Sequence, residues 1–165
     1  MRIVEATAEH LPTIAGIYAD VVTSSPATFD LEPPDLEAWR RSLDACDPER
    51  GRFLVVALDD GGAVLGYAKS GPFRERAAYD LTCETSIYLA PPARGQGVSG
   101  PLYAHLLELL DASPLRLAVG IVTEPNPASV ALHEALGFER VGTLDGAGIK
   151  FGQPWSVTLY QRSLL

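Results

Sequence analysis

A strand, a glycine-rich loop and an amphipathic helix follow one another directly in the middle of the chain. Residues 79–89 have the composition of a strand, Gly95, Gly97 and Gly100 follow it, and an apolar helical pattern extends over 100–112. Such a loop turns backbone N–H groups and the positive end of a helix dipole toward one point, which favours a bound anion. Glycine also permits close approach because it lacks a Cβ. We therefore expect a sheet covered by helices, with an anion site at this loop.

The predicted elements follow the order β-α-α-β-β-β-α-β-α-β-β, which is not a regular β-α alternation. Asp-Asp-Gly-Gly at 59–62 is a strong hairpin signal. Thr7 can cap the first helix, although His10 stands where a full capping box needs Glu or Gln. The order predicts an α/β fold with a mixed, mostly antiparallel sheet flanked by helices. The predicted strands cover residues 2–5, 53–58, 63–69, 79–89, 115–122, 139–145 and 155–162, and the predicted helices run from Thr7 to about Val22 and over 35–45, 100–112 and 127–136, with Gly137 stopping the last.

Length and composition bound the class of protein. The 165 residues suit a single domain, 1–165, that can bury a core without disulfides or metals. No apolar run is long enough to span a membrane, and the N-terminus lacks the apolar segment of a signal peptide. Cys46 and Cys83 are expected to be reduced thiols, and the histidines lack the spacing of zinc ligands. We therefore expect a cytoplasmic protein without a metal and without a membrane partner.

The formal net charge of −8 comes without the basic patch of a nucleic-acid-binding protein, so no nucleic-acid partner is expected. An acidic chain can bind an anion only through local donors, which directs attention to clustered arginines.

Three interpretations of the glycine loop compete. Gly95, Gly97 and Gly100 match the G-x-G-x-x-G spacing of a dinucleotide site. That site requires the first turn of a βαβ unit and an acidic residue about 20 positions on, where this chain has Gly120. A P-loop is excluded because no Gly-Lys-Ser/Thr follows. A purely structural turn fits poorly with three glycines that open an amphipathic helix, so a pyrophosphate cradle with Arg94 at its rim is favoured.

Two segments resemble the GNAT superfamily of N-acetyltransferases. Residues 94–99, Arg-Gly-Gln-Gly-Val-Ser, resemble the R/Q-x-x-G-x-G/A signature, and residues 126–138 resemble the N-x-x-S/A-x-x-x-Y/H-x-x-x-G-F segment. Residues 71–88, with TSSPATFD and GIKFGQPW, resemble the phosphinothricin N-acetyltransferase-like subgroup, so the resemblance covers nearly the whole chain. Two departures stand out: Ser99 replaces the usual last Gly or Ala, and Pro154 and Val157 depart from the K-x-G-x-W-x-D pattern of relatives.

The resemblance implies acetyl-CoA as co-substrate. The loop would hold its pyrophosphate, the preceding strand would pair with pantetheine through its backbone, and the segment from Asn126 would contact the pantetheine and its sulfur. The implied cofactor-binding residues are Ile87, Tyr88, Leu89, Arg94, Gly95, Gln96, Gly97, Val98, Ser99, Gly100, Asn126 and Ser129.

Glu84 is the candidate general base. On a strand it shares a face with Thr82, Ser86 and Tyr88, and it is the only charged residue there. Partial burial would raise its pKa toward a useful value, and it can act directly or through a water. The alternatives are a solvated strand glutamate and an ion pair.

His133 is the second catalytic candidate, because Asn126, Ser129 and His133 form one helical stripe. The resemblance puts His133 where many relatives place a tyrosine that protonates the leaving sulfur, and an imidazole can donate near neutral pH. It is either a proton donor, an active-site wall or a packed histidine. Tyr103 is a weaker candidate that could equally belong to the core.

Arg74 and Arg76 are spaced so that both guanidiniums can point the same way. Together they suit a carboxylate and a phosphinate or sulfoximine-like oxygen, although an Arg-Glu-Arg run is more often an exposed charged loop. The predicted substrate-binding residues are Phe29, Arg74, Arg76, Tyr79, Glu84 and Ser86.

Together with these residues, the resemblance implies an acetyl-CoA-dependent N-acetyltransferase. The expected acceptor is the α-amine of a small amino acid analogue of the phosphinothricin, methionine sulfoximine or methionine sulfone class, an activity linked to herbicide resistance. Transfer is expected to be direct, in a ternary complex, without either cysteine, and the resemblance implies a homodimer. The alternatives are another amine, such as a polyamine or an aminoglycoside, and a non-catalytic acyl-CoA-binding regulatory domain. An aminoglycoside would prefer an acidic pocket, which the arginine pair does not supply.

Overall fold

The computed structural model describes residues 1–164 and contains a seven-stranded sheet with helices on both faces. The strand order is β1-β2-β3-β4-β5-β7-β6, with β4 and β5 parallel and every other neighbouring pair antiparallel. The predicted α/β class with a mixed, mostly antiparallel sheet is confirmed. The elements are β1 (Arg2–Glu5), α1 (Leu11–Ser24), α2 (Leu36–Asp44), β2 (Leu54–Leu58), β3 (Val64–Pro72), β4 (Thr82–Leu89), α3 (Ser99–Asp111), β5 (Leu117–Glu124), α4 (Pro127–Ala135), β6 (Glu139–Lys150) and β7 (Gln153–Ser163).

The core has two layers, one on each face of the sheet. Helices α1 and α2 cover one face through residues such as Ile14 and Trp39, and α3 covers the other through residues such as Leu102 and Leu106. All five residues of β2, Leu-Val-Val-Ala-Leu, are buried, and they alternate between the two layers. A continuous apolar run in the sequence therefore marks a strand that is covered on both sides.

The first helix begins differently from its prediction. A short 3-10 turn over Ala8–His10 precedes α1, and the backbone N–H of Thr7 donates to His10 Nδ1 at 3.0 Å. The expectation of an incomplete capping box was wrong, because the imidazole of His10 supplies the acceptor that Glu or Gln usually provides.

The fourth strand begins later than predicted. Residues Ala77–Tyr79 form a 3-10 turn, in which the Tyr79 N–H donates to the Arg76 carbonyl at 2.9 Å. The ring of Tyr79 packs edge-on against Phe73, with ring centroids 5.6 Å apart. These contacts keep the segment before Thr82 in a compact turn, so the predicted start of the strand at residue 79 was wrong.

The last hairpin is longer than predicted. Lys150 pairs with Gln153 across a two-residue turn in which Phe151 has φ 53° and Gly152 has φ 75°. Positive φ at both central residues is the geometry of a type I′ turn, which matches the twist of antiparallel strands. The predicted end of the sixth strand at residue 145 was wrong, because β6 continues to Lys150 although glycines such as Gly148 weaken a strand signal. A register shift between Leu144 and Gly148 accommodates them.

Two tyrosines, Tyr67 and Tyr103, are both fully buried, one in each core layer. The Tyr67 hydroxyl has no hydrogen-bond partner among residues 1–164. The Tyr103 hydroxyl lies 2.6 Å from Thr85 Oγ1 and 3.2 Å from His133 Nε2. A buried hydroxyl without a partner loses its hydration without compensation, whereas a paired one recovers it.

Removing the same atom from these two tyrosines is therefore expected to have opposite effects on stability. Tyr67→Phe should raise the free energy of unfolding by about 1 kcal/mol, and Tyr103→Phe should lower it by about 1–2 kcal/mol because Thr85 and His133 lose a partner. Urea denaturation of the two variants and the wild type measures both changes. A loss of stability in Tyr67→Phe would show that its hydroxyl is satisfied in solution.

Candidate active site

Strands β4 and β5 separate part-way along their length. Their parallel pairing reaches only as far as Thr85 and Gly120, although β4 continues to Leu89 and β5 to Glu124. The carboxyl ends of the two strands therefore border an opening in the middle of the sheet.

The backbone of β4 faces this opening at alternate residues. The Ala90 N–H, just after β4, donates to the carbonyl of Leu65 in β3 at 2.9 Å. Because hydrogen-bonding groups alternate sides along an antiparallel strand, the N–H and C=O groups of Ser86 and Tyr88 also face β3, and those of Ile87 and Leu89 face the opening. The opening can thus accept a ligand that hydrogen-bonds as a strand would.

A cavity of about 600 Å³ lies at the opening. It brings together residues from α1, the segment after α1, β4, the glycine loop, β5 and α4. The predicted site residues that line it are Phe29, Glu84, Ser86, Ile87, Tyr88, Leu89, Arg94, Gly95, Ser99, Asn126, Ser129 and His133. Of the other predicted loop residues, Gln96 and Gly97 are exposed, Gly100 is half-buried in the first turn of α3, and Val98 is buried in the core.

The glycine loop prepares the start of α3. Gly95 has φ 73° and Gly97 has φ 75°, a backbone region that favours glycine. In the described part of the chain, α3 receives no hydrogen bond from a side-chain cap, whereas Asp35 caps α2 and Asn126 caps α4. The first-turn N–H groups of α3 thus lack a side-chain acceptor, as an anion site requires.

Arg94 crosses the mouth of the cavity. Its guanidinium lies 2.8 Å from a carboxylate oxygen of Asp20 on α1, and its Nε donates to the Leu89 carbonyl at 3.3 Å. The carboxylate of Asp20 thus orients the arginine beside the glycine loop.

Glu84 is half-buried on the face of β4 that α1 and α2 cover, and it pairs with Gly71 of β3. Burial raises the pKa of its carboxyl, and the positive charges of Arg74 and Lys69 oppose that shift. Lys69 pairs with Ser86, so it lies diagonally from Glu84 on the same face, within reach of a long side chain. A carboxyl with a raised pKa in a cavity wall suits a general base.

His133 is buried and both of its ring nitrogens contact protein atoms. Nδ1 lies 2.8 Å from the Ser129 carbonyl, and Nε2 lies 3.2 Å from the Tyr103 hydroxyl. The carbonyl can only accept, so Nδ1 carries the proton, and the tyrosine donates to Nε2. Burial lowers the pKa of His133, which favours this neutral ring. This arrangement favours the wall hypothesis for His133 over the proton-donor hypothesis.

Gly120 makes room for that ring. A Cβ at Gly120 would lie 2.5 Å from His133 Nε2. Gly120, at the point on β5 where the two strands separate, therefore leaves the space that the His133 imidazole of α4 occupies.

The predicted substrate residues do not all share one cavity. Phe29 and Ser86 line the large cavity with Glu84. Arg74 and Tyr79 line a second cavity of about 180 Å³ together with Arg50 and Arg52. Arg76 is exposed just before the Ala77–Tyr79 turn.

Sequence reasoning missed Lys69, the Thr85–Tyr103–His133 contacts and the lining residues Thr28 and Thr123. Tyr103 was weighed only as a weak lining residue. Strand alternation placed Thr85 on the face opposite Glu84, but only the pairing of strands in space shows which residues meet.

Comparison with known proteins places the chain in a family of acetyltransferases. The model of the acetyltransferase (GNAT) family matches residues 14–138. The chain belongs to this family. Its fold class and its class of enzyme, an acyltransferase that uses acetyl-CoA, agree with the predictions made from the sequence.

Curated relatives match over nearly full length. The phosphinothricin N-acetyltransferase of Streptomyces coelicolor is 41% identical over 158 residues, which are 94% of this chain and 92% of the relative. An L-methionine sulfoximine/L-methionine sulfone acetyltransferase of Pseudomonas paraeruginosa is 35% identical over 160 residues, 97% of this chain and 92% of the relative.

A solved structure shares the fold in detail. The phosphinothricin acetyltransferase of Sinorhizobium meliloti in complex with AcCoA superposes with a TM-score of 0.92 and 36% identity, covering 98% of this chain and 87% of that chain.

Two further properties of residues 1–164 concern metal ligands and helix length. Within them, no cluster of three or more His, Cys, Asp or Glu side chains is arranged to hold a metal ion. In the same part of the chain, no helix has both the length and the apolar character needed to cross a membrane.

Removing the charge of Lys69 is expected to move the pH profile of the enzyme. With the ionised form of Glu84 as the predicted base, activity should fall as the pH drops through the pKa of its carboxyl, which burial raises. Lys69→Met removes a positive charge that favours the ionised form, so the acidic limb of kcat/KM should move to higher pH. Arg2→Met, which removes an exposed cation from β1, is the matched control. An acidic limb that stays in place would show that Lys69 does not act on Glu84.

Proposed function

We propose that this chain transfers the acetyl group of acetyl-CoA directly to the α-amine of a small amino acid analogue of the phosphinothricin, methionine sulfoximine or methionine sulfone class. One observation carries the proposal. Glu84, a half-buried carboxylate with a raised pKa, lines the cavity that opens where β4 and β5 part, beside the glycine loop.

The features of the opening fit acetyl-CoA, which supplies the activated acetyl group. The uncapped N-terminus of α3, with Gly95, Gly97 and Arg94, suits the pyrophosphate. The backbone groups of Ile87 and the N–H of Leu89 suit the amides of pantetheine, because they face the opening as an unpaired strand edge does. The net charge of the chain is negative, so the anionic pyrophosphate is held by these local donors and by Arg94.

Glu84 accepts the proton of the acceptor ammonium, directly or through a water, and frees the amine lone pair. The nitrogen then forms a bond to the thioester carbonyl carbon, and the carbon–sulfur bond breaks. As the amide forms, the nitrogen loses a second proton, and the leaving sulfur takes up one proton in exchange and departs as a thiol, so atoms and charge balance with the first proton on Glu84. His133 lines the site as a neutral ring and does not supply that proton, because both of its nitrogens already have hydrogen-bond partners.

Direct transfer without an acyl-enzyme is supported by the burial and the raised thiol pKa of Cys83. Its side chain is buried in the core, and burial raises the pKa of its thiol to about 12. A thiol that stays protonated is a poor nucleophile. Cys46 lies outside the cavity lining, and burial raises the pKa of its thiol as well.

The acceptor class is supported by the relatives' names and by charge. Relatives of the chain act, by name, on phosphinothricin and on methionine sulfoximine and sulfone. Arg74, Arg76 and Tyr79 lie outside the lining of the large cavity, but the charge of Arg74 acts on the Glu84 carboxyl. They are therefore the proposed partners of the acceptor's carboxylate and its phosphinyl or sulfonyl oxygens, and Phe29 and Ser86 are the proposed wall. A cationic aminoglycoside or polyamine is disfavoured beside these arginines, and a non-catalytic acyl-CoA-binding domain would not need an ionisable carboxylate in the cavity.

The remaining expectations form part of the proposal. Residues 1–165 are proposed to act as one N-acetyltransferase domain, in the cytoplasm and as a homodimer, with neither nucleic acid nor a membrane as partner. Acetylation of phosphinothricin would confer herbicide resistance.

Glu84→Gln is expected to lower kcat/KM by about 100-fold or more, because general-base catalysis contributes on that scale. The measurement is thiol release with phosphinothricin, methionine sulfoximine and methionine sulfone, compared side by side with a polyamine and an aminoglycoside. Tyr67→Phe is the control for folding and should retain wild-type activity. Full activity of Glu84→Gln on an accepted acceptor would refute the base assignment, and turnover of only the cationic amines would refute the acceptor class.

A further inference from the structure

The segment between α1 and α2 forms one wall of the cavity through Ser25, Ala27, Thr28 and Phe29. Its beginning lies near the glycine loop, because Asp20 on the last turns of α1 pairs with Arg94. Its further end carries Phe29 toward the β6–β7 hairpin. The wall therefore spans from the pyrophosphate side of the cavity to the hairpin side.

Lys150 fastens the hairpin to this wall. The chain has only two lysines, and Lys150 is 3% exposed. Its ammonium donates to the Thr28 carbonyl at 2.7 Å, across 122 positions in sequence. The carbonyl of Lys150 in turn accepts the indole N–H of Trp155 at 3.0 Å, which holds the end of the hairpin in place. Burying a lysine ammonium without a partner is energetically costly. The hydrogen bond to the Thr28 carbonyl offsets part of that cost and stabilises the contact between the hairpin and the wall.

The same segment is held from the other side by α1. The Tyr18 hydroxyl donates to a carboxylate oxygen of Asp30 at 2.7 Å and lies 2.7 Å from Thr28 Oγ1. The Tyr18 ring packs edge-on against Trp39 and Tyr88, whose ring centroids are 5.7 Å and 5.1 Å away. Residues 28–30 thus lie between a fixed tyrosine and the Lys150 ammonium.

Phe29 occupies a space that the hairpin leaves for it. A Cβ at Gly148 would overlap the Phe29 ring. Gly148 does not adopt a positive φ, so the close contact, and not backbone freedom, explains the glycine. Two nearby residues of β6 therefore contact two consecutive residues of the wall. The Lys150 ammonium binds the Thr28 carbonyl, and Gly148, which has no side chain, leaves space for the Phe29 ring.

We propose that Lys150 is a positioning residue for the acceptor site: through the Thr28 carbonyl it holds Phe29 against Gly148 and so fixes the wall on which the acceptor's side chain packs. The assignment of that wall to the acceptor rests on the proposed function. Lys150 does not line the cavity, and the pyrophosphate side of the wall has its own anchor in Asp20 and Arg94. Loss of Lys150 thus acts on the acceptor and spares acetyl-CoA.

The test uses four variants of the full chain. Lys150→Met removes the ammonium and keeps the apolar stem, and Arg140→Met removes an exposed cation from the same strand as its control. Gly148→Ala displaces Phe29 directly, and Gly142→Ala, where a Cβ meets nothing within 4 Å, is its control. Thermal unfolding first confirms that each variant is folded.

Hydrogen–deuterium exchange and kinetics then separate the two parts of the proposal. Exchange over residues 25–34 should rise in Lys150→Met and stay at the wild-type rate in Arg140→Met. The KM for methionine sulfone or phosphinothricin should rise about tenfold in Lys150→Met, the scale of one lost charged hydrogen bond. It should also rise in Gly148→Ala, where the added Cβ displaces Phe29, while the KM for acetyl-CoA stays within about twofold in both.

Each outcome decides one part of the proposal. Unchanged exchange in Lys150→Met overturns the anchor. Faster exchange with an unchanged acceptor KM, or an equal rise in the KM for acetyl-CoA, overturns the positioning role. If the wild type acetylates none of the acceptors, the proposed function fails, and the acceptor role of the wall fails with it, while the exchange data still decide whether Lys150 anchors residues 25–34.

Discussion

The early end of the β4–β5 pairing is the constraint on which the rest of the molecule depends. Parallel strands that remained paired to their ends would close the sheet and leave no free backbone. Pairing that stops at Thr85 and Gly120 leaves Ile87 and Leu89 facing an opening, directly before the glycine loop and the start of α3. A backbone edge and an uncapped helix N-terminus thus lie side by side, and they are the two elements needed to bind an extended, anionic co-substrate.

Burial gives the two titratable candidates at this opening different roles. Burial raises the pKa of the half-buried Glu84 carboxyl, and the nearby charges of Arg74 and Lys69 oppose that shift. His133 lies deeper, with Nδ1 and Nε2 both hydrogen-bonded, and its lowered pKa keeps it neutral. One group is therefore free to exchange a proton with a ligand, and the other shapes the cavity. The same physical effect, desolvation, disfavours the charged form in both.

Much of this arrangement follows from the sequence. The Asp-Asp-Gly-Gly hairpin and the Gly137 stop are local signals, and the structure has both. The His10 cap and the extended last hairpin were missed because histidine rarely completes a capping box and glycines weaken a strand pattern. The site was harder to predict. Alternation on one strand identified Glu84, but the relation of Lys69 to Glu84 depends on register between strands, and that of Lys150 to Thr28 depends on tertiary packing over 122 positions.

The central claim is that the free edge of β4 binds the co-substrate through alternate residues. Amide hydrogen exchange resolved by residue, with and without saturating coenzyme A, tests it most directly. The account predicts that exchange of the Ile87 and Leu89 amides slows on binding, while the Ser86 and Tyr88 amides, which already face β3, keep their rates. Equal protection of all four amides, or no change at Ile87 and Leu89 when coenzyme A is bound, would contradict it.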